Sequence, residues 1–148
     1  MTDALGNITT YAYEPVYNNM TSTTDPRGRT TTYTYDPNGN RLQETDPLTQ
    51  TRSWTYDANG NVLTNTDKGL HTTSYTYDAL GRLTQMTDPL GNVTPMTYDP
   101  VGNRTSRTDP NGRTTTYTYD GMNRLTIATD PVGNTTQTQS DGQGNRSQ

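Results

Sequence analysis

The chain has no cysteine, no phenylalanine, a single tryptophan (Trp54) and a single histidine (His71). Without cysteine there are no disulfides and no thiolate metal sites, and the redox compartment is left open. Hydrophobic residues make up only 26% of 148 residues, against roughly 45–50% in an ordinary globular chain when glycine is included, so a thick oily core is not expected. No run approaches the ~18 apolar residues of a membrane span, and nothing near Met1 has the charged and apolar regions of a signal peptide. Charge of one sign is not concentrated either. The net charge is −4 and the 11 Lys and Arg are scattered, which removes the basic stripe that a nucleic-acid partner requires.

So little apolar content would ordinarily indicate disorder, but disordered chains are poor in aromatic and β-branched residues. This chain holds 11 tyrosines and has threonine in almost every window, so its polarity is of a strand-forming kind. The residues are also arranged periodically. A "TD" word falls at Asp3, Asp25, Asp46, Asp67, Asp88, Asp109 and Asp130, at a spacing of 22 once and 21 thereafter. A "YD" word or variant interleaves at Glu14, Asp36, Asp57, Asp78, Asp99, Asp120 and Asp141. A fixed period in this range marks an array of about seven repeats spanning residues 1–148, with no separate cap or toxin domain expected.

Each word reads as a turn. In "DPRG", "DPNG" and "DPLG", Asp25, Asp36, Asp88 and Asp109 stand where a carboxylate accepts local backbone N–H groups. Pro26, Pro37, Pro89 and Pro110 follow where φ must lie near −65°, and Gly28, Gly39, Gly91 and Gly112 take the left-handed position. The expected connection is a type I turn closed by a glycine bulge. Between turns, words such as "TTTYTY" and "TRSWTY" alternate with period two, placing Tyr33 and Tyr35 on one face and Thr32 and Thr34 on the other. The predicted fold is all-β and without helices: an antiparallel meander of about fourteen strands of six or seven residues. At ~4.8 Å per strand such a sheet spans roughly 65 Å, beyond the ~10 strands that open twisted sheets tolerate, so the ribbon is expected to curl into a β-spiral, tube or solenoid. A ladder of Tyr33, Tyr35, Trp54, Tyr56, Tyr75, Tyr77, Tyr98, Tyr117 and Tyr119, with Leu42, Val62, Leu63, Leu83 and Leu125, is expected to form a thin seam.

The alternating words "YDPNGNRLQETDP", "YDALGRLTQMTDPLGNVT" and "YDPVGNRTSRTDPNGRTTTYTYD" resemble the YD-repeat, or RHS-repeat, family over essentially the whole chain. The resemblance implies a spiralling β-ribbon that builds hollow shells, known around bacterial toxins and in teneurin adhesion receptors. "YEPVYNN" at residues 13–19, "SDGQGN" at residues 140–145, "TDPLTQT" and "TDKGLHT" depart from the pattern, and disturbed turns are expected near Thr49 and Gly69. The family's carboxy-terminal plug has no counterpart here, and a complete shell is far longer. Joining Gln148 to Met1 would preserve the 21-residue interval between Asp130 and Asp3 and recreate the internal word of residues 81–92. The expectation is therefore a window of a longer chain, or copies running head to tail as a filament.

Chemistry is sparsely indicated. Same-edge aspartates lie two strands, or ~9.6 Å, apart, too far for one Ca²⁺ to bridge, so no metal is expected. His71 stands in an irregular turn without the partners a general base needs, and no nucleophile or phosphate-loop motif occurs, so no catalytic residue, cofactor or enzyme activity is expected. Six sequons begin at Asn7, Asn19, Asn92, Asn103, Asn134 and Asn145 as candidate glycosylation sites. The expected role is an extracellular bacterial wall of a shell, tube or filament, whose partner is itself or an enclosed cargo, without membrane insertion. A carbohydrate-binding or adhesive surface built on the aromatic rows is the rival.

Overall fold

The computed structural model describes residues 1–138; Asp141, Gly144 and the sequon at Asn145 lie outside the described residues. The described residues hold thirteen strands and no helix. The chain divides into two compact units, Met1–Ser74 and Tyr75–Gln148. The first contains β1 (Thr10–Tyr13), β2 (Met20–Thr24), β3 (Thr30–Tyr35), β4 (Arg41–Thr45), β5 (Thr51–Tyr56) and β6 (Val62–Thr66). Strand β7 (Thr72–Tyr77) crosses the boundary. The second unit continues with β8 (Leu83–Thr87), β9 (Val93–Tyr98), β10 (Arg104–Thr108), β11 (Thr114–Tyr119), β12 (Leu125–Thr129) and β13 (Thr135–Gln137).

Within each unit the strand order is the sequence order, and every recorded pair is antiparallel. The all-β meander expected from the alternation is therefore the fold. The strands, at three to six residues, are shorter than expected, because the residue on each side of a turn closes the turn rather than extending the ladder. At the start of the chain the pairing is reduced to a bridge between Thr2 and Ile8.

The two kinds of hairpin differ in register. Those closed by TD turns are regular, as in Ser22↔Thr32, Thr23↔Thr31 and Thr24↔Thr30. Those closed by YD turns carry a bulge: Thr34 faces Gln43 but Tyr35 faces Arg41, so Leu42 is the extra residue. The same shift recurs at Ala12/Tyr13, Thr55/Tyr56 and Thr118/Tyr119. A bulge sets two residues against one and re-aims their side chains. This corrects the expected seam at Leu42 and Leu63, each 37% exposed, whereas Val62, Leu83 and Leu125 are half-buried as expected. Their places beside the tyrosines go to residues such as Arg41 and Glu44.

Strands β3 and β11 alternate strictly between exposed and half-buried residues, with Thr30, Thr32 and Thr34 (Thr114, Thr116 and Thr118 in β11) on the open face and Thr31, Tyr33 and Tyr35 (Thr115, Tyr117 and Tyr119) on the covered one. Among the described residues no hydrophobic side chain is buried, and the only buried residue of any kind is Thr94. Pro95 sits mid-strand in β9 on the exposed face; with no N–H to donate, it leaves the β9–β10 register at three pairs where β3–β4 has four.

Candidate functional site: the turns and the tyrosine face

The Asp36 turn shows how one residue type organises the edge. Asp36 N–H donates to the Asn40 carbonyl at 2.9 Å and Gly39 N–H donates to the Asp36 carbonyl at 3.0 Å, the hydrogen bonds of a type I turn with a left-handed closing residue. The carboxylate completes a cage. Its Oδ1 accepts the N–H groups of Asn38 and Asn40, and its Oδ2 accepts the Asn40 side-chain amide, all at 2.9 Å. Position two needs no donor, which is where Pro26, Pro37, Pro89 and Pro110 stand, and Gly28, Gly39, Gly91 and Gly112 have φ of 77°, 85°, 82° and 78°. The cages at Asp25, Asp88 and Asp109 are built in the same way, with Arg29, Asn92 and Arg113 in the fifth position. Donors aimed at an ionised oxygen favour the charged form, so these carboxyls lie below their ordinary value of 3.8. The leading cause is the Asn40 amide at Asp36, the Arg29 side chain at Asp25, the Asn92 amide at Asp88 and the Arg113 backbone N–H at Asp109.

The irregular words keep this scheme at a conformational cost. Thr49, Leu70 and Asn123 occupy the closing position with φ of 64°, 63° and 61°, and their N–H groups still reach the turn aspartate's carbonyl. The turns at Thr49 and Gly69, expected to be disturbed, are thus hydrogen-bonded like the others. Their strain comes from a side chain in the left-handed region. His71 fills the fifth position, its N–H on Asp67 Oδ1 at 3.0 Å and its Nδ1 3.3 Å from Oδ2, both groups exposed. Glu14 closes a turn one residue longer, its N–H bonded to the Asn19 carbonyl, which accounts for the single spacing of 22.

On the covered face, Tyr33, Tyr35, Trp54, Tyr56, Tyr75, Tyr77, Tyr98, Tyr117 and Tyr119 are all half-buried. Several of them do more than pack. The hydroxyls of Tyr35, Tyr56, Tyr98 and Tyr119 donate to the carbonyls of Met20, Arg41, Leu83 and Arg104, at 2.9, 2.9, 2.9 and 3.0 Å and always fifteen residues back. The reason lies in the register: the β4–β5 ladder stops at Gln43↔Ser53, and Tyr56 takes the Arg41 carbonyl beyond it. Each hydroxyl therefore ties one YD turn to the preceding one. Arg41, Arg82 and Arg104 lie over the rings of Tyr33, Tyr98 and Tyr117, 4.7, 5.0 and 5.0 Å from their centroids. Burial, reinforced by Glu44 at Tyr33 and by Asp36 at Tyr56, pushes both phenols above their ordinary value of 10.0. Other cross-links join same-edge turns: Lys68 Nζ to Asp46 Oδ2 at 2.6 Å, Arg82 to the Asp99 carbonyl at 2.8 Å, and Asn103 Nδ2 to Asn123 Oδ1 at 2.9 Å. Sequence reasoning missed the arginine stacking and the fifteen-residue tyrosine link. The recurrent basic or apolar residue after each YD turn was the signal for both.

The sequon asparagines among the described residues belong to the cages. Asn7, Asn92, Asn103 and Asn134 donate their amides to Asp3, Asp88, Asp99 and Asp130 at 2.7–2.9 Å, and the Asn19 amide helps lower Glu14. Among the described residues no three acidic, histidine or cysteine side chains converge as a metal site, and no helix is long and apolar enough to cross a membrane. A shallow groove of about 470 Å³ beside the long Glu14 turn is lined by Val16, Tyr17, Asn19, Thr21, Tyr33 and Tyr35 among others.

The RHS-repeat family model matches residues 16–51, 37–72, 56–93 and 98–136, which is most of the chain. The chain belongs to the RHS-repeat family. The RHS repeats here are also similar in fold to solved structures. One is the Photorhabdus luminescens Tc holotoxin pore, carrying a TccC3 variant, at 22% identity and a TM-score of 0.72, covering 94% of this chain and 9% of that one. Another is the crystal structure of TcdB2-TccC3 without its hypervariable C-terminal region, at 22% identity and a TM-score of 0.70, covering 90% and 8%. The chain thus spans less than a tenth of the length of these solved chains. No curated protein matches it.

Proposed function

We propose that this RHS-repeat chain is a structural segment of wall: a length of β-ribbon that curls so that its tyrosine face and turn edges are covered by further repeat ribbon, from the same chain or from a second copy, around an enclosed space. The observation that carries this reading is the absence of any buried hydrophobic side chain among the described residues, combined with a half-buried aromatic face. A sheet with one covered face needs a second layer or its own curvature to complete the covering. The fold shared with the Tc holotoxin chains, themselves more than ten times longer, supports a role in enclosing a cargo and an extracellular bacterial setting. The wall does no chemistry of its own: its carboxylates are occupied by turn N–H groups, and His71 meets only an exposed turn aspartate.

The test is negative-stain electron microscopy of the purified chain over a range of concentrations. Curved ribbons, rings or tubes that lengthen with concentration are expected. Compact particles of one size at every concentration would contradict the reading. A second reading, a sugar-binding surface, has the groove beside Glu14 in its favour, where Tyr17 is 63% exposed next to hydroxyl and amide groups. Glycan binding lost in Tyr17→Ala with the fold unchanged would favour it.

A further inference from the structure

The turns hold two kinds of asparagine with opposite environments. Those in the fifth position, Asn7, Asn40, Asn61, Asn92, Asn103 and Asn134, donate their side-chain amides to a turn carboxylate at 2.7–2.9 Å. Those at the tips, Asn38, Asn59 and Asn111, are exposed, make no side-chain hydrogen bond among the described residues, and each immediately precedes the closing glycine. Asparagine before glycine is the arrangement that most readily deamidates, because no side chain on the next residue hinders its backbone nitrogen from reaching the asparagine carbonyl.

We infer that Asn38, Asn59 and Asn111 are self-modification sites at which the wall ages by deamidation, and that each turn gates its own site. The chemistry needs only water and base. The amide nitrogen of Gly39 loses its proton to hydroxide and attacks Cγ of Asn38. An N–C bond forms to give a tetrahedral Cγ, water donates a proton to its NH2 group and regenerates hydroxide, the Cγ–NH2 bond breaks, and ammonia leaves behind a five-membered succinimide. Water then opens either ring carbonyl, giving aspartate or isoaspartate. The gate is the proton that must leave. Gly39, Gly60 and Gly112 N–H donate to the carbonyls of Asp36, Asp57 and Asp109 at 3.0, 3.1 and 2.9 Å, so the nitrogen becomes nucleophilic only when the turn opens. Each event adds one negative charge to a chain that starts at −4. Isoaspartate also inserts a backbone carbon into a turn whose length is fixed by two backbone hydrogen bonds, so the product cannot remake both.

The experiment incubates the purified chain at mildly alkaline pH, native and in urea, and maps peptides by mass spectrometry with isoaspartate detection. Expected is the mass gain of exchanging an amide for an acid, confined to Asn38, Asn59 and Asn111, and faster in urea by about two- to tenfold, the factor that follows from losing one turn hydrogen bond. The triple variant N38Q/N59Q/N111Q, changed only at exposed tips, should lose the modification. Equal rates in native and unfolded chains would overturn the gating. Modification falling first on the fifth-position asparagines, or persisting in the triple variant, would overturn the assignment of sites.

Discussion

Replacing Tyr56 by phenylalanine isolates the tyrosine link from everything else the residue does. The ring and its packing stay; only the hydroxyl that donates to the Arg41 carbonyl at 2.9 Å is lost. A hydrogen bond of this kind contributes about 0.5–1.5 kcal/mol net, and this one is part-buried, so a loss of ~1 kcal/mol is expected. In a chain of this length that corresponds to roughly 2–4 °C in Tm. Tyr13 provides the control, since it is 53% exposed and its hydroxyl has no partner among the described residues; Tyr13→Phe should change stability by less than about 0.5 kcal/mol. Because Tyr35, Tyr56, Tyr98 and Tyr119 lie at least one repeat apart, their effects should add, and the variant with all of these changed to Phe should lose ~2–6 kcal/mol, much of the total stability of an ordinary domain. Urea unfolding followed by circular dichroism measures all of this. Equal midpoints for Tyr56→Phe and Tyr13→Phe would refute the link.

The remaining expectations concern the turns. Thr49 holds φ of 64° with a β-branched side chain, a conformation costing about 1–2 kcal/mol, so Thr49→Gly should stabilise the chain by ~0.5–1 kcal/mol after glycine's entropic cost, read as a higher Tm. The caged aspartates, among them Asp25, Asp36, Asp57, Asp88 and Asp109, are shifted below 3.8 in the folded chain, so the unfolded chain binds protons first on acidification. Their stabilisation should therefore be fully present above about pH 5 and disappear as the pH falls through 3.8 toward the folded values. Thermal melts should be level between pH 7 and 5 and drop steeply below pH 4; melts that rise on acidification would contradict the cages.

Period and turn chemistry made the strands and edges legible before any coordinates. "DPNG" specifies its own geometry, since proline fixes one dihedral and glycine permits the next, and "TTTYTY" can bury only every second residue. The bulge in each YD hairpin was not legible, because it depends on pairing between residues of two strands and no single residue announces it. With it went the placement of Leu42, which lies on the open face, while Arg41 takes the place opposite Tyr35 and lies over the Tyr33 ring. The turns at Thr49 and Leu70 were hidden for a different reason. The turn's hydrogen bonds are strong enough to force ordinary residues into the left-handed region, overriding their preference.

The most direct test of the central claim, that hydrogen-bonded turns and tyrosine links rather than a hydrophobic core hold this chain together, is the heat capacity of unfolding measured by scanning calorimetry. Ordinary domains give about 12–15 cal/mol/K per residue, because unfolding exposes buried apolar surface. With no hydrophobic side chain buried among the described residues, a value clearly below that range is expected. A value within or above it would contradict the account.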